Sequence, residues 1–146
     1  MATFERYVDV DWQGPIMEGK GQVKAGTGAF TLPVTFPQRV GEPQGATSPE
    51  ELIAAAHAAC YAMALNATLG RKNARAARTR VRATVIAERT DAGIRITTSR
   101  LQVTAEGLDG IAPGQFAEVA REAEGRCPVS NALRGSLKIE LDARTA

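Results

Sequence analysis

Two cysteines, one histidine and a few charged residues carry whatever chemistry this chain performs. Cys60 and Cys127 are its only thiols, and they are far apart in the sequence. That separation excludes a CxxC redox pair and the paired CxxC ligands of a structural zinc site. Zinc would have to be held by His57, Cys60, Cys127 and a carboxylate. His57 and Cys60, three positions apart on one predicted helix, permit this geometrically, but a single histidine without a local ligand pair argues against it. The thiols therefore read either as redox-active groups or as small buried hydrophobes.

Local physics separates the two. Cys127 precedes Pro128, which places it at the N-cap of a short helical turn, where unpaired N–H groups and the positive helix end favour a thiolate. Cys60 stands in mid-helix between Ala59 and Tyr61, gains nothing from the helix dipole and needs an outside cation. On local grounds alone Cys127 is the more reactive thiol. His57, in an alanine-rich stretch, reads as a hydrogen-bonded core or interface histidine. Glu51 reads as a capping residue and Glu50 as a first-turn acid favoured by the dipole. Arg39, within Pro37-Gln38-Arg39-Val40-Gly41-Glu42, reads as a surface loop arginine.

The elements that must position these residues fit one domain over 1–146. The chain has 146 residues, 44% hydrophobic and 23% charged, enough to bury a core without a disulfide scaffold. Four Phe, two Tyr and one Trp are too few for a base-stacking nucleic-acid surface, and the 18 basic and 16 acidic residues are interspersed. Nucleic acid is thus not an expected partner. The longest apolar run, Leu52 to Leu65, is shorter than the ~20 residues of a bilayer span, so it is expected to be a buried core helix. The first residues, Met1-Ala2-Thr3-Phe4-Glu5-Arg6, lack the pattern of a signal peptide. A reducing cytoplasm is the expected compartment.

Residues 3–12 alternate as a strand. Gly21–Lys24 and Phe30–Phe36 are predicted to pair around Ala25-Gly26-Thr27-Gly28, with Pro33 favouring an edge. Arg39 to Ala46 reads as a loop. Ser48, Pro49 and Glu51 form a capping-box start for a helix that should run to Ala67 or Leu69, stop at Gly70 and be buried on most sides. Thr79–Glu88 and Ile94–Ala105, the latter alternating with a slip at Ser99-Arg100, form a second hairpin. Pro113–Glu124 has helical spacing, Cys127-Pro128 opens a short turn, and Leu137, Ile139 and Leu141 mark a last strand. The order β-β-β-α-β-β-α-α-β predicts an α+β fold with antiparallel sheets.

The segment Thr47-Ser48-Pro49-Glu50-Glu51-Leu52-Ile53-Ala54-Ala55-Ala56-His57-Ala58-Ala59-Cys60 is very similar to the first cysteine segment of the OsmC/Ohr thiol peroxidases, and Cys127-Pro128-Val129-Ser130 resembles the second. Ala-Ala-His-Ala-Ala-Cys, with Met63-Ala64-Leu65 after it, looks more like the OsmC branch. The resemblance runs along nearly the whole chain. It implies an OsmC-like fold in an intertwined homodimer, with antiparallel sheets flanking long central helices. It also implies thiol-dependent reduction of hydroperoxides in defence against oxidative or osmotic stress, and the apolar residues around Cys60 (Ala56, Ala59, Tyr61, Met63) favour organic hydroperoxides over hydrogen peroxide.

By the same resemblance Cys60 matches the peroxidatic cysteine, Cys127 the resolving one, Glu50 the functional glutamate and Arg39 the arginine. This reverses the local ranking of the thiols. Arg39 would supply the cation Cys60 lacks, and Glu50 would hold the guanidinium by a bidentate pair. Glu50 and Cys60 stand ten residues apart on one predicted helix, about 15 Å, so a site using both must draw on the partner chain or be bridged by Arg39. No metal or organic cofactor is implied. An external dithiol, from a lipoyl protein or another thiol, would close the cycle. A thiol redox sensor and a non-catalytic structural domain are the alternative readings.

Overall fold

The structure, a computed structural model, describes residues 1–146. The chain divides into two compact units, Met1–Leu52 and Ile53–Ala146.

The first unit is built on a three-stranded antiparallel sheet of β1 (Val8–Gln13), β2 (Lys20–Ala25) and β3 (Thr31–Val34), with β2 in the middle. Val23 and Ala25 alternate inward along β2, as a half-buried strand requires. The ring of Tyr7 lies over Gly26, 2.6 Å from where a Cβ would stand, so a larger residue there would push the exposed ring aside. A five-residue helix, α1 (Phe36–Val40), follows β3. Arg39 lies on it, not on a loop. The local signal is Thr35, whose Oγ1 accepts from the Gln38 N–H at 3.3 Å, with Pro37 preset for the first turn.

The long helix α2 (Pro49–Arg71) starts where expected: the Ser48 hydroxyl accepts from the Glu51 N–H at 3.1 Å. The reciprocal half of the capping box is absent. Glu51 Oε1 instead accepts from the Thr47 hydroxyl at 2.8 Å. Nor does the helix stop at Gly70. It ends at Arg71, after which Asn73 takes the left-handed φ of 56° and Ala74 N–H reaches back to the Leu69 carbonyl at 2.9 Å. At 23 residues α2 is long and apolar enough, by length and composition, to cross a membrane, which the shorter apolar run in the sequence did not suggest.

In the second unit α2 buries one stripe, not most of its surface: His57, Tyr61, Leu65, Thr68 and Leu69 point inward. Met63 remains 73% exposed, and Ala55 and Ala59 are also exposed. Alanine has too little side chain to fill a groove alone, so the uncovered face follows from composition. The hairpin β4 (Arg75–Thr90) and β5 (Gly93–Asp109) is antiparallel, with a register shift at Ile86 and Ala87. A 3₁₀ turn at Pro113–Gln115 leads into α3 (Phe116–Arg126), followed by α4 (Pro128–Leu133) and β6 (Lys138–Thr145).

β6 pairs with β5 in parallel, Leu101 opposite Leu141, which corrects the expectation of purely antiparallel sheets. The helical segment between β5 and β6 supplies the crossover that a parallel pair needs. The core lies in this unit: Tyr61, Leu65 and Leu69 of α2, Leu101, Val103 and Ala105 of β5, and Phe116, Val119, Ala120 and Ala123 of α3. The last four recur at i, i+3, i+4 and i+7, the apolar stripe of an amphipathic helix.

Candidate active site

The first unit holds an arginine–carboxylate pair. α1 presents Arg39 and the first turn of α2 presents Glu50. Arg39 Nη2 donates to Glu50 Oε1 at 2.7 Å, and Nε donates to both carboxylate oxygens at 3.1 Å. None of these bonds uses Nη1. Burial pushes the Glu50 carboxyl up, but the Arg39 bonds and charge, with backbone and Ser48 donors, outweigh it and hold the group below the ordinary carboxylate value. The pair therefore carries a fixed cation on a planar fork with one end still available to a ligand.

The second unit holds the thiols, which are not joined to each other. Cys60, at mid-α2, is half-buried; Cys127 has no solvent exposure. Cys127 is the N-cap of α4, and its sulfur accepts from the Ser130 N–H at 3.5 Å. Cys60 and Val129 pack against the core cluster that includes Cys127. Burial pushes the Cys60 thiol above its ordinary value, the Val129 N–H works against that, and the neighbouring Cys127 thiol pushes it up again. Attack by Cys60 as a thiolate thus calls for a cation beyond these groups.

His57 is wholly buried one turn before Cys60. Its Nδ1 lies 2.7 Å from Ser99 Oγ on β5 and its Nε2 lies 2.7 Å from Ser130 Oγ on α4. Burial lowers its pKa, and the Glu124 charge opposes this more weakly. With both ring nitrogens engaged by hydroxyls, His57 offers neither to a metal, and no group of three or more His, Cys, Asp or Glu side chains is arranged to hold one. Tyr61 donates its hydroxyl to the Ala120 carbonyl at 2.9 Å, tying α2 to α3.

The structure thus pairs Arg39 with Glu50 and Cys60 with Cys127. Sequence reasoning missed Ser99 and Ser130. Ser130 stood inside the Cys127-Pro128-Val129-Ser130 motif, one helical turn from the thiol. Ser99 gave only a slip in the β5 alternation, where a polar residue falls at an inward position.

This fold and these two residue pairs define a class. The sequence model of the OsmC-like protein family matches residues 41–142, and the chain belongs to that family. It is 33% identical over 144 residues to peroxiredoxin OsmC of Escherichia coli K12, covering 98% of this chain and 99% of that one. It is 30% identical to organic hydroperoxide resistance protein-like 2 of Staphylococcus epidermidis, over 84% of this chain and 85% of the relative. Among solved structures, an organic hydroperoxide resistance protein from Elizabethkingia anophelis superposes with a TM-score of 0.78 at 24% identity, covering 100% of both chains. An organic hydroperoxide resistance protein OsmC from Legionella pneumophila gives 0.76 at 23%, covering 99% of each.

Proposed function

We propose that this chain reduces organic hydroperoxides through a two-cysteine cycle, with Cys60 as the attacking thiol and Cys127 as the resolving one. It is an enzyme of the peroxidase type, related to proteins named for peroxiredoxin activity and organic hydroperoxide resistance. The observation that carries the order of attack is the unequal exposure of two adjacent thiols. Half-buried Cys60 keeps some surface open to a substrate oxygen, whereas Cys127 has no solvent exposure.

In the first step the Cys60 thiolate attacks the terminal peroxide oxygen. The O–O bond breaks, the alkoxide takes a proton and leaves as alcohol, and Cys60 becomes a sulfenic acid. Arg39 serves this step as the missing cation: it lowers the Cys60 pKa and stabilises the charge developing on oxygen. Glu50 fixes the guanidinium by the Nε–Nη2 edge, leaving Nη1 to the peroxide. In the second step the Cys127 sulfur attacks the Cys60 sulfur, a disulfide forms, and hydroxide leaves as water with the Cys127 proton. An external dithiol, from a lipoyl protein or another thiol, then reduces the disulfide. The sulfur atoms supply all the redox chemistry, so the proposal includes no metal or organic cofactor.

The working form in this reading is a homodimer whose active sites are completed on association, with residues 1–146 acting as one OsmC-like domain. The exposed apolar side chains support it: Met63 on α2, and Phe4, Tyr7, Val8 and Val10 around β1. The compartment is the cytoplasm and the role is defence against oxidative or osmotic stress. Neither nucleic acid nor a membrane is a partner.

The test is consumption of cumene hydroperoxide with a dithiol reductant. Wild type should turn over, Cys60→Ser and Cys127→Ser should not, and Cys127→Ser should accumulate a sulfenic acid on Cys60. Trapping it on Cys127 would reverse the order of attack. Stoichiometric oxidation without turnover would point to a sensor.

A further inference from the structure

The cycle above uses no histidine, yet the only histidine of the chain is buried between the two thiol-bearing segments. His57 stands one turn before Cys60 on α2, and Ser130 stands one turn after Cys127 on α4. The 2.7 Å contact between His57 Nε2 and Ser130 Oγ joins those two turns directly. Ser130 is fully buried, and its backbone N–H also reaches the Cys127 sulfur. The other ring nitrogen is anchored at 2.7 Å to Ser99, in the interior of β5. A neutral imidazole has one donor and one acceptor, and serine hydroxyls can match both, so neither nitrogen is left unsatisfied in the core.

We propose that His57 is a positioning residue for the resolving thiol: through its bond to Ser130 it holds the first turn of α4 so that Cys127 stays in line with Cys60. This rests on the thiol assignments above. The clamp acts on disulfide formation and not on the attack on peroxide, because it grips α4 and leaves the exposed side of Cys60 untouched. Displacing Cys127 slows an in-line attack steeply, since sulfur must approach sulfur along one direction.

The two serines make the idea testable. Ser99 and Ser130 are both buried, each gives His57 one bond of the same length, and each leaves one ring nitrogen unpartnered when lost, Nδ1 for Ser99 and Nε2 for Ser130. A purely structural role makes the two equivalent. A positioning role makes only Ser130 matter for Cys127.

The probe is 5,5′-dithiobis(2-nitrobenzoate), which needs no peroxide. Attack by Cys60 breaks the reagent's S–S bond, releases one nitrothiobenzoate thiolate and leaves a mixed disulfide. Attack by Cys127 on the Cys60 sulfur forms the protein disulfide and releases a second thiolate with its electron pair. Cys127→Ser assigns the second phase. Ser130→Ala should slow that phase roughly tenfold or more with the first phase little changed, and Ser99→Ala should leave both near wild type.

Should an alanine variant not fold, two histidine replacements make the same comparison. His57→Asn places its amide near Nδ1 and keeps Ser99, whereas His57→Gln reaches the Nε2 position and keeps Ser130. The second phase should be slow in the first and near wild type in the second. An unchanged second phase in Ser130→Ala, or equal slowing by Ser99→Ala, overturns the proposal. Failure of the peroxidase reading would show separately, as absent hydroperoxide consumption by wild type with a dithiol.

Discussion

The imidazole of His57 bridges Ser99 and Ser130, residues 42 and 73 positions away in sequence, with 2.7 Å contacts on both ring nitrogens. This seats a titratable group inside the core. Burial keeps its pKa below the ordinary value of 6.5, with Glu124 opposing more weakly. The unfolded chain takes up the proton near that value while the fold resists it. Stability is therefore fully present above about pH 6.5 and is lost as pH falls below it, because proton uptake favours the unfolded chain. Chemical denaturation of wild type between pH 7.5 and 5.5 should show this loss, at most about 1.4 kcal/mol per pH unit for one proton. His57→Gln, less stable at neutral pH, should lack that part of the slope. An identical slope in both proteins would mean that His57 is not its source.

Arg39 and Glu50 act as a unit, so their losses should not add. Arg39→Ala removes the cation and should lower kcat/KM for cumene hydroperoxide by about 10²–10³-fold, the usual cost of losing a charge-stabilising donor. Arg39→Lys keeps the charge without the planar fork, so it should recover only part of this. Glu50→Gln should fall between them, and the double variant should match Arg39→Ala alone. A thiolate titration of Cys60 at 240 nm checks the cause: its pKa should rise in Arg39→Ala. An unchanged titration would remove Arg39 from the activation of the thiol.

How far the site could be read in sequence follows from how local each interaction is. The start of α2 was legible because Ser48 and Pro49 act on their own neighbours, and the two cysteine motifs were legible as contiguous strings. The stop of α2 was misplaced at Gly70 because Asn73, three residues later, supplies the left-handed turn. The α1 helix was hidden in what looked like a Gly- and Pro-rich loop, although Thr35 and Pro37 carry a capping signal. The parallel β5–β6 pairing depends on how α3 and α4 carry the chain across the sheet, which no strand periodicity reports. The His57 clamp was out of reach for the same reason: each bond joins residues more than forty positions apart.

The uncovered face of α2 bears on assembly. Met63 is 73% exposed, and Ala55 and Ala59 precede it at one-turn intervals on the same stripe. A helix carrying mainly alanine lets a second helix approach closely, and a methionine adapts to whatever faces it. In the proposed dimer this face would be covered, and Met63→Glu would place two like charges in an apolar contact. Sedimentation velocity across a concentration series should find wild type dimeric at micromolar protein and Met63→Glu at least tenfold weaker in self-association, about 1.4 kcal/mol. Thermal stability of the variant monomer should change little, because Met63 packs against almost nothing within its own chain. Hydroperoxide turnover should fall in step with the dimer fraction. A wild type that is monomeric yet fully active would overturn the dimeric site, and a dimer indifferent to Met63→Glu would place its interface elsewhere.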